Sequence, residues 1–168
     1  CCPPIREESN RNELWQGLKR GIIDLVVSDH SPCTPSLKLL KEGDFTKAWG
    51  GISSLQFTLP LIWTEAKSRG FSFSHLAQWM ASAPAELAGL SQRKGAIKKG
   101  LDADFAFFAP ESTLFIEEEM TLHKHKLSPY LGEKLNGRVI KTILRGETIF
   151  ENGKFKERAR GISLLGGS

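Results

Sequence analysis

Cysteine is scarce in this chain and poorly spaced for crosslinking. The 168 residues hold three, Cys1, Cys2 and Cys33, an odd number with no Cys-x-x-Cys pair. That pattern argues against a disulfide framework and against a structural zinc site. Adjacent Cys1 and Cys2 can bridge only through a strained vicinal disulfide. Free thiols in a reducing compartment are therefore expected, the cytoplasm or an organelle matrix such as that of a peroxisome or mitochondrion. No apolar run reaches the roughly 18 residues that a membrane span needs, so no membrane partner is expected. Charge of one sign is also lacking: 23 basic residues face 19 acidic ones, for a net +4. The basic groups fall in short patches, Lys19-Arg20, Lys98-Lys99 and Lys154 to Arg160, interleaved with acids. This distribution does not make a nucleic-acid groove, although a weak preference for anions stays open. An initiating Met is missing too, so the want of an N-terminal leader says nothing about targeting.

What is present is ordinary globular composition, 40% hydrophobic and 25% charged, which excludes a disordered chain. Its most informative stretch is Val26-Val27-Ser28-Asp29-His30-Ser31-Pro32-Cys33. The β-branched residues Ile22, Ile23, Val26 and Val27, with Leu25, read as a fully buried strand. That strand ends in a carboxylate, an imidazole and a turn carrying Pro32 and Pro35. Parallel α/β barrels place their chemistry at such strand ends. A carboxylate in an apolar setting must pair, bind a metal or carry a proton, because isolation there is costly. The plainer alternative is that Asp29 caps the following turn.

Along the chain, Asn12 is placed to cap a helix through Arg20, with Leu14, Trp15 and Leu18 inward and Gly21 as its stop. Residues 34–50 mix Pro, Gly and charge and read as a long functional loop. A second helix carries Ile52, Leu55, Leu59, Ile62, Trp63 and Ala66 on one face, with Pro60 kinking it or marking its start. Ser74 is placed to cap a third segment bearing Leu76, Trp79, Met80, Ala83, Leu87 and Leu90, which Pro84 splits. These stripes read as core rather than as a cofactor site. From Gly95 the pattern changes to short strands joined by glycine turns, over 95–104 and Phe105 to Phe108. Further strands are expected over 138–145 and 147–150, with a turn at Glu151-Asn152-Gly153-Lys154. The predicted organisation is an α/β unit over 1–92, a small β unit over 93–156, and a poorly ordered tail over 157–168.

Three segments in order, Cys1-Cys2-Pro3-Pro4-Ile5-Arg6, Ser28-Asp29-His30-Ser31-Pro32-Cys33 and Ala48-Trp49-Gly50-Gly51-Ile52-Ser53-Ser54-Leu55-Gln56, carry a resemblance. Together they are similar to the cyclic amidohydrolases, the family of dihydroorotases, dihydropyrimidinases (hydantoinases) and allantoinases, and most like the allantoinases. The resemblance runs over essentially the whole chain, but it matches only the C-terminal part of such an enzyme. It implies the end of a metal-dependent α/β barrel followed by the C-terminal strands of a small β-sandwich. A complete eight-stranded barrel takes about 250 residues. The implied reaction is hydrolysis of a cyclic amide, here the hydantoin ring of allantoin, by an enzyme that forms a homo-oligomer when whole. The implied cofactors are two divalent metal ions, with zinc the expected element. Of the family's ligands (a His-x-His, a carboxylated Lys, two further His and a late Asp) only the last has a match, Asp29. The chain is therefore expected to be a C-terminal piece that is not a catalyst alone.

By the same resemblance Asp29 both coordinates metal and takes the proton from the attacking water. His30, on the opposite face of an extended chain, has either a substrate contact or a hydrogen-bonded structural role. Dihydroorotases carry a His where Cys33 stands, and it meets the substrate carboxylate. A thiol cannot make that charge-assisted contact, so Cys33 favours an uncharged ring, or else it is a small buried space-filler. Cys2 with Pro3, and Gly50 with Gly51, match loops whose backbone holds the ring amides in relatives; each could equally be turn punctuation. His123-Lys124-His125 mimics the family's His-x-His but lies far later in the chain, and a solvated loop is the expectation there. Two rival readings are another cyclic amidohydrolase, such as a hydantoinase, and a non-catalytic dihydropyrimidinase-like scaffold. Retention of Asp29 counts against the scaffold.

Overall fold

Three tryptophans organise the helical part of the molecule. In the computed structural model, which describes residues 7–156 and 158–164, Trp15, Trp63 and Trp79 are all buried and converge with Ala66 and Leu76. Trp15 comes from α1 (Glu8–Lys19), Trp63 from α2 (Thr58–Ser68), and Leu76 from α3 (Phe73–Ala77). Trp79 lies in the π-helical stretch Gln78–Ser82 that links α3 to α4 (Ala83–Leu87). Phe71 packs edge-on to Trp79 at 5.0 Å and stacked on Trp15 at 5.7 Å, geometries that aromatic quadrupoles favour. The Arg69 guanidinium sits 5.4 Å over the Trp15 ring.

Several helix boundaries differ from the sequence expectation. The first helix starts at Glu8, not at Asn12, because the chain before Asn12 holds no breaker. Ser72, not Ser74, caps α3, and His75 returns a ring nitrogen to the Ser72 backbone in a capping box. Pro60 lies in the first turn of α2, where its missing N–H is harmless. Pro84 likewise opens α4, and the split expected there is the π-helical stretch before it.

The four-stranded antiparallel sheet runs β1 (Phe105–Phe115), β2 (Lys134–Leu144), β3 (Glu147–Glu151) and β4 (Lys154–Phe155), in that order. β1 reaches further than the sequence suggested because its register shifts between Ala109 and Thr113, around Pro110, which has no N–H to pair. The Pro110 carbonyl instead accepts from the Trp63 indole at 3.1 Å, tying sheet to α2. Gly137, at φ 85°, lies against the Phe108 ring so closely that a Cβ would stand 2.1 Å from it. A second core, Phe57, Leu114, Ile116 and Leu135, fills the space between the start of α2 and the sheet.

Two expectations fail. Residues 95–104 form no strand; Gly95 and Gly100 take positive φ, and ion pairs rather than a ladder organise the segment. Residues 22–29 lie in no sheet, and Ile22 and Val27 are 69% and 65% exposed rather than buried. A strand exists only through neighbours. Among the described residues the one isolated bridge here is the parallel one between His30 and Ile52. Within the tail, Arg160 is anchored, pairing with Glu147 at 3.0 Å and accepting at its carbonyl from Arg145. The tail's residues 157 and 165–168 lie outside the described residues.

The ion pairs at the entry to the sheet carry a testable pH dependence. Lys94 pairs with Asp102 at 3.0 Å and with Asp104. The ammonium holds Asp102 below the usual 3.8. Burial pushes Asp104 up, but Lys94 and the Arg145 amide outweigh it, so Asp104 is also lowered. Asp104 and Asp102 raise Lys94 above 10.5. Carboxylates depressed in the fold stabilise it above their unfolded value and lose that contribution as pH falls through the folded one. The raised lysine contributes fully below its unfolded value and loses it as pH rises through the folded one. Lys94→Met is therefore expected to lose less stability than wild type between about pH 5 and about pH 2. Denaturant midpoints across that range measure it, and parallel declines would refute the assignment.

Candidate active site

Asp29 ends the 22–29 segment with φ 45°, one of four non-glycine residues in left-handed backbone among the described residues. That conformation costs an ordinary residue roughly 1 kcal/mol, and Asp and Asn tolerate it best. The side chain is exposed, and no protein group hydrogen-bonds its carboxylate among the described residues. Among the described residues the carboxylate is thus neither a turn cap nor half of a structural ion pair, and it stands at the end of a held backbone.

The holding is done by residues that follow it. Ser31 Oγ donates to the Asp29 carbonyl at 3.2 Å and accepts from the Ile52 amide at 3.1 Å, while the Ser31 amide donates to the Ile52 carbonyl at 2.8 Å. Ser54 Oγ donates to the Ser28 carbonyl at 2.6 Å. His30 Nδ1 accepts from two successive amides, Ser54 at 3.0 Å and Leu55 at 3.1 Å. Two donors on Nδ1 assign the proton of the neutral ring to Nε2. In the structure the His30 ring thus satisfies orphan amides at the turn Leu55–Phe57 that leads into α2.

The other predicted residues fall as follows. Cys33 is buried, at 7% exposure, in the turn after Asp29. Gly51 lies against Ser31, whose carbonyl a Cβ at Gly51 would approach to 2.1 Å, so the close approach there is to protein backbone. Gly50 is exposed beside it. The structure thus gathers Asp29, His30, Cys33, Gly50 and Gly51 into one region, while Cys2 and Pro3 lie outside the described residues. Among the described residues no three His, Cys, Asp or Glu side chains converge as a metal site. Asp29 can therefore offer one ligand, not a centre.

His123 departs from the solvated loop expected of it. Its ring meets His30 edge-to-face at 5.4 Å, and its Nε2 is buried without a hydrogen-bond partner. Burial lowers its pKa below 6.5, against the opposing pull of the Leu127 carbonyl. The loop reaches the site because Gln56 grips it: Gln56 Nε2 donates to the Met120 carbonyl and its Oε1 accepts from the Leu122 amide, both at 2.8 Å. Ser128 Oγ adds a bond to the Ser53 carbonyl at 2.8 Å. The sequence offered no periodic signal for these contacts, only polar residues in the Ser53-Ser54-Leu55-Gln56 run. A cavity of about 420 Å³ opens between α2 and the sheet, but its lining of Phe57, Leu114, Val139 and Phe150 suits packing, and Asp29 is not part of it.

The amidohydrolase family model matches residues 1–149, and the chain belongs to that family. Its relatives are more specific. It is 50% identical over 157 residues to the allantoinase of Streptomyces avermitilis, which takes in 94% of this chain and 34% of that protein. To the probable allantoinase 2 of Dictyostelium discoideum it is 51% identical over 159 residues, 92% of this chain and 31% of the other. Among solved structures, the L-hydantoinase (dihydropyrimidinase) of Arthrobacter aurescens superposes with a TM-score of 0.86 at 29% identity, over 92% of this chain and 35% of that one. The chain thus spans about a third of the length of the curated relatives it matches.

The Gln56 grip predicts a graded response. Gln56→Leu strands a carbonyl and an amide and is expected to cost on the order of 2 kcal/mol. Gln56→Glu can still accept from Leu122 but cannot donate to Met120, and should fall between. Thermal unfolding of the two variants decides it, and a Gln56→Leu melt matching wild type would disprove the grip.

Proposed function

We propose that this chain is the C-terminal third of an enzyme that opens the hydantoin ring of allantoin to allantoate by hydrolysis. The observation that carries the proposal is Asp29: an exposed carboxylate, without a partner among the described residues, in left-handed backbone fixed through Ser31, in a chain half identical to allantoinases. A scaffold has no use for such a carboxylate, whereas a hydrolase needs one. On this reading residues 1–92 are the end of an α/β barrel and 93–156 the C-terminal share of a β-sandwich. The exposed apolar side of 22–29 would then be covered by barrel strands from the rest of the protein, and the whole enzyme is a homo-oligomer in a reducing compartment.

In the reaction, water oxygen adds to a ring carbonyl carbon, and Asp29 takes its proton. The ring C–N bond then breaks, and Asp29 returns the proton to the departing nitrogen, leaving a carboxylate and a ureido group. Two divalent metal ions, zinc by expectation, belong to the proposal and when bound would polarise the carbonyl and acidify the water. The residues described here do not complete a centre for them. Cys33, buried and uncharged, suits a neutral ring, and Gly50 and Gly51, with Cys2 and Pro3, are proposed to line it. His30 is assigned to the wall of the site through its two amide bonds, not to proton transfer. The superposition on a hydantoinase favours, as second reading, another cyclic amide of the same ring type.

The test is kcat/KM for allantoin, a simple hydantoin and dihydroorotate in the full-length protein and two variants. Asp29→Asn is expected to lose at least about a hundredfold in turnover while remaining folded, since an amide cannot accept the proton and Asn tolerates positive φ. Cys33→His should impair allantoin hydrolysis by crowding a neutral pocket. Wild type preferring dihydroorotate would sink the substrate assignment, and an active Asp29→Asn would sink the mechanism.

A further inference from the structure

The long loop between Cys33 and Gly50 is closed by a lysine that has no acidic partner. Lys38 ends the 3-10 turn Pro35–Lys38, is half-buried, and pairs with no carboxylate among the described residues. Its ammonium instead donates to two main-chain carbonyls, that of Trp49 at 2.8 Å and that of Gly51. Charge-assisted bonds from one cation to two carbonyls are stronger and more directional than neutral ones. A solvated lysine normally keeps its rotamer freedom, so this placement costs entropy and has to be offset by what it holds.

What it holds is the peptide between those carbonyls. In an extended run successive carbonyls alternate in direction, so two carbonyls drawn to one side turn the intervening one to the other. Here the intervening carbonyl is that of Gly50, and it has no protein partner among the described residues. The far side of this peptide is not free to drift, because Gly51 is wedged against Ser31, and Trp49 Nε1 donates to the Ser31 carbonyl at 3.4 Å. Ser31 in turn holds the Asp29 carbonyl. The unpaired Gly50 carbonyl is thus mounted on the turn that mounts Asp29. A cyclic amide presents a ring N–H, the complement of that carbonyl.

We infer that Lys38 is a positioning residue, whose ammonium turns the Gly50 carbonyl toward a ring N–H of the substrate. The inference rests on the cyclic-amide reading above. Lys38 touches no reacting atom; it acts through the backbone it holds. Loss of the clamp frees the peptide to rotate, and the substrate must then pay to order it on binding. Binding shared by ground and transition states appears in KM and not in kcat.

The experiment measures kcat and KM separately for allantoin in the full-length enzyme, with wild type, Lys38→Met and Lys38→Arg. Lys38→Met keeps the stem and removes the donor. It should raise KM on the order of tenfold, while kcat stays within about threefold. Lys38→Arg, which can span both carbonyls, should restore KM to within about threefold of wild type. Should Lys38→Met be recovered unfolded, Lys38→Gln takes its place, with the same rise expected. An unchanged KM in a folded Lys38→Met or Lys38→Gln enzyme overturns the inference, as does a fall in kcat with KM unchanged. Failure of the underlying reading looks different, since the wild-type enzyme itself would then not turn over allantoin.

Discussion

The hydrogen bonds between residues 28–31 and 52–55 carry the rest of the site. Residues 22–29 have no strand on either side, so ladder pairing contributes nothing to their placement. Their position depends on the Val26 amide reaching the Trp79 carbonyl at 3.0 Å, and on Ser54, His30 and Ser31 binding across to the start of α2. Each bond contributes about 1 kcal/mol net, but losing either partner strands a polar group at a larger cost. A short run of Ser and His thereby substitutes for a sheet. It also ties the Asp29 backbone to this knot, because the Ser31 hydroxyl bonds both the Asp29 carbonyl and the Ile52 amide.

The sheet is not a passive neighbour of that knot. Gln56, Ser128 and the Asn136 amide to Thr64 Oγ1 bond at 2.8 Å link loop and strands to the turn and helix that hold His30. His123 packs its ring on His30 from the same side. A buried imidazole nitrogen without a partner is tolerated only because the neutral form is favoured there, in keeping with its lowered pKa. The β unit thus backs the site without contributing an Asp, Glu or Cys to it, a division of labour between chemistry and support.

The helices and the turns between the sheet strands were legible in the sequence because each depends on local pattern: 3.6-residue stripes and glycine turns. The strand over 22–29 was misread for a physical reason. Its composition encodes burial between neighbours, and composition cannot say whether those neighbours are at hand. Residues 95–104 were misread because short runs between glycines resemble strands joined by turns, while the Lys94 pairs close a loop instead. Ser31, Lys38, Gln56 and His123 were missed or discounted because partners such as Leu122 for Gln56 and His30 for His123 lie far along the chain, with no periodicity linking them. Family resemblance located the site; only geometry showed what mounts it.

The left-handed backbone at Asp29 deserves to be read together with its exposure. A free carboxylate in an unfavourable conformation contributes nothing to stability, and an ordinary turn would place glycine or asparagine there. Ser31 and the Ile52 bridge offset that cost locally, leaving the carboxylate solvated and able to turn toward a ligand. Backbone held in a sparsely populated region commonly marks function, because the surrounding structure must over-determine it. Here that over-determination has identifiable parts, in Ser31 and Ile52 for the turn itself, and in Ser54 and His30 for the segment that leads into it. Among the described residues the side chain alone is left without a structural partner, in keeping with the proton-carrying role proposed for it.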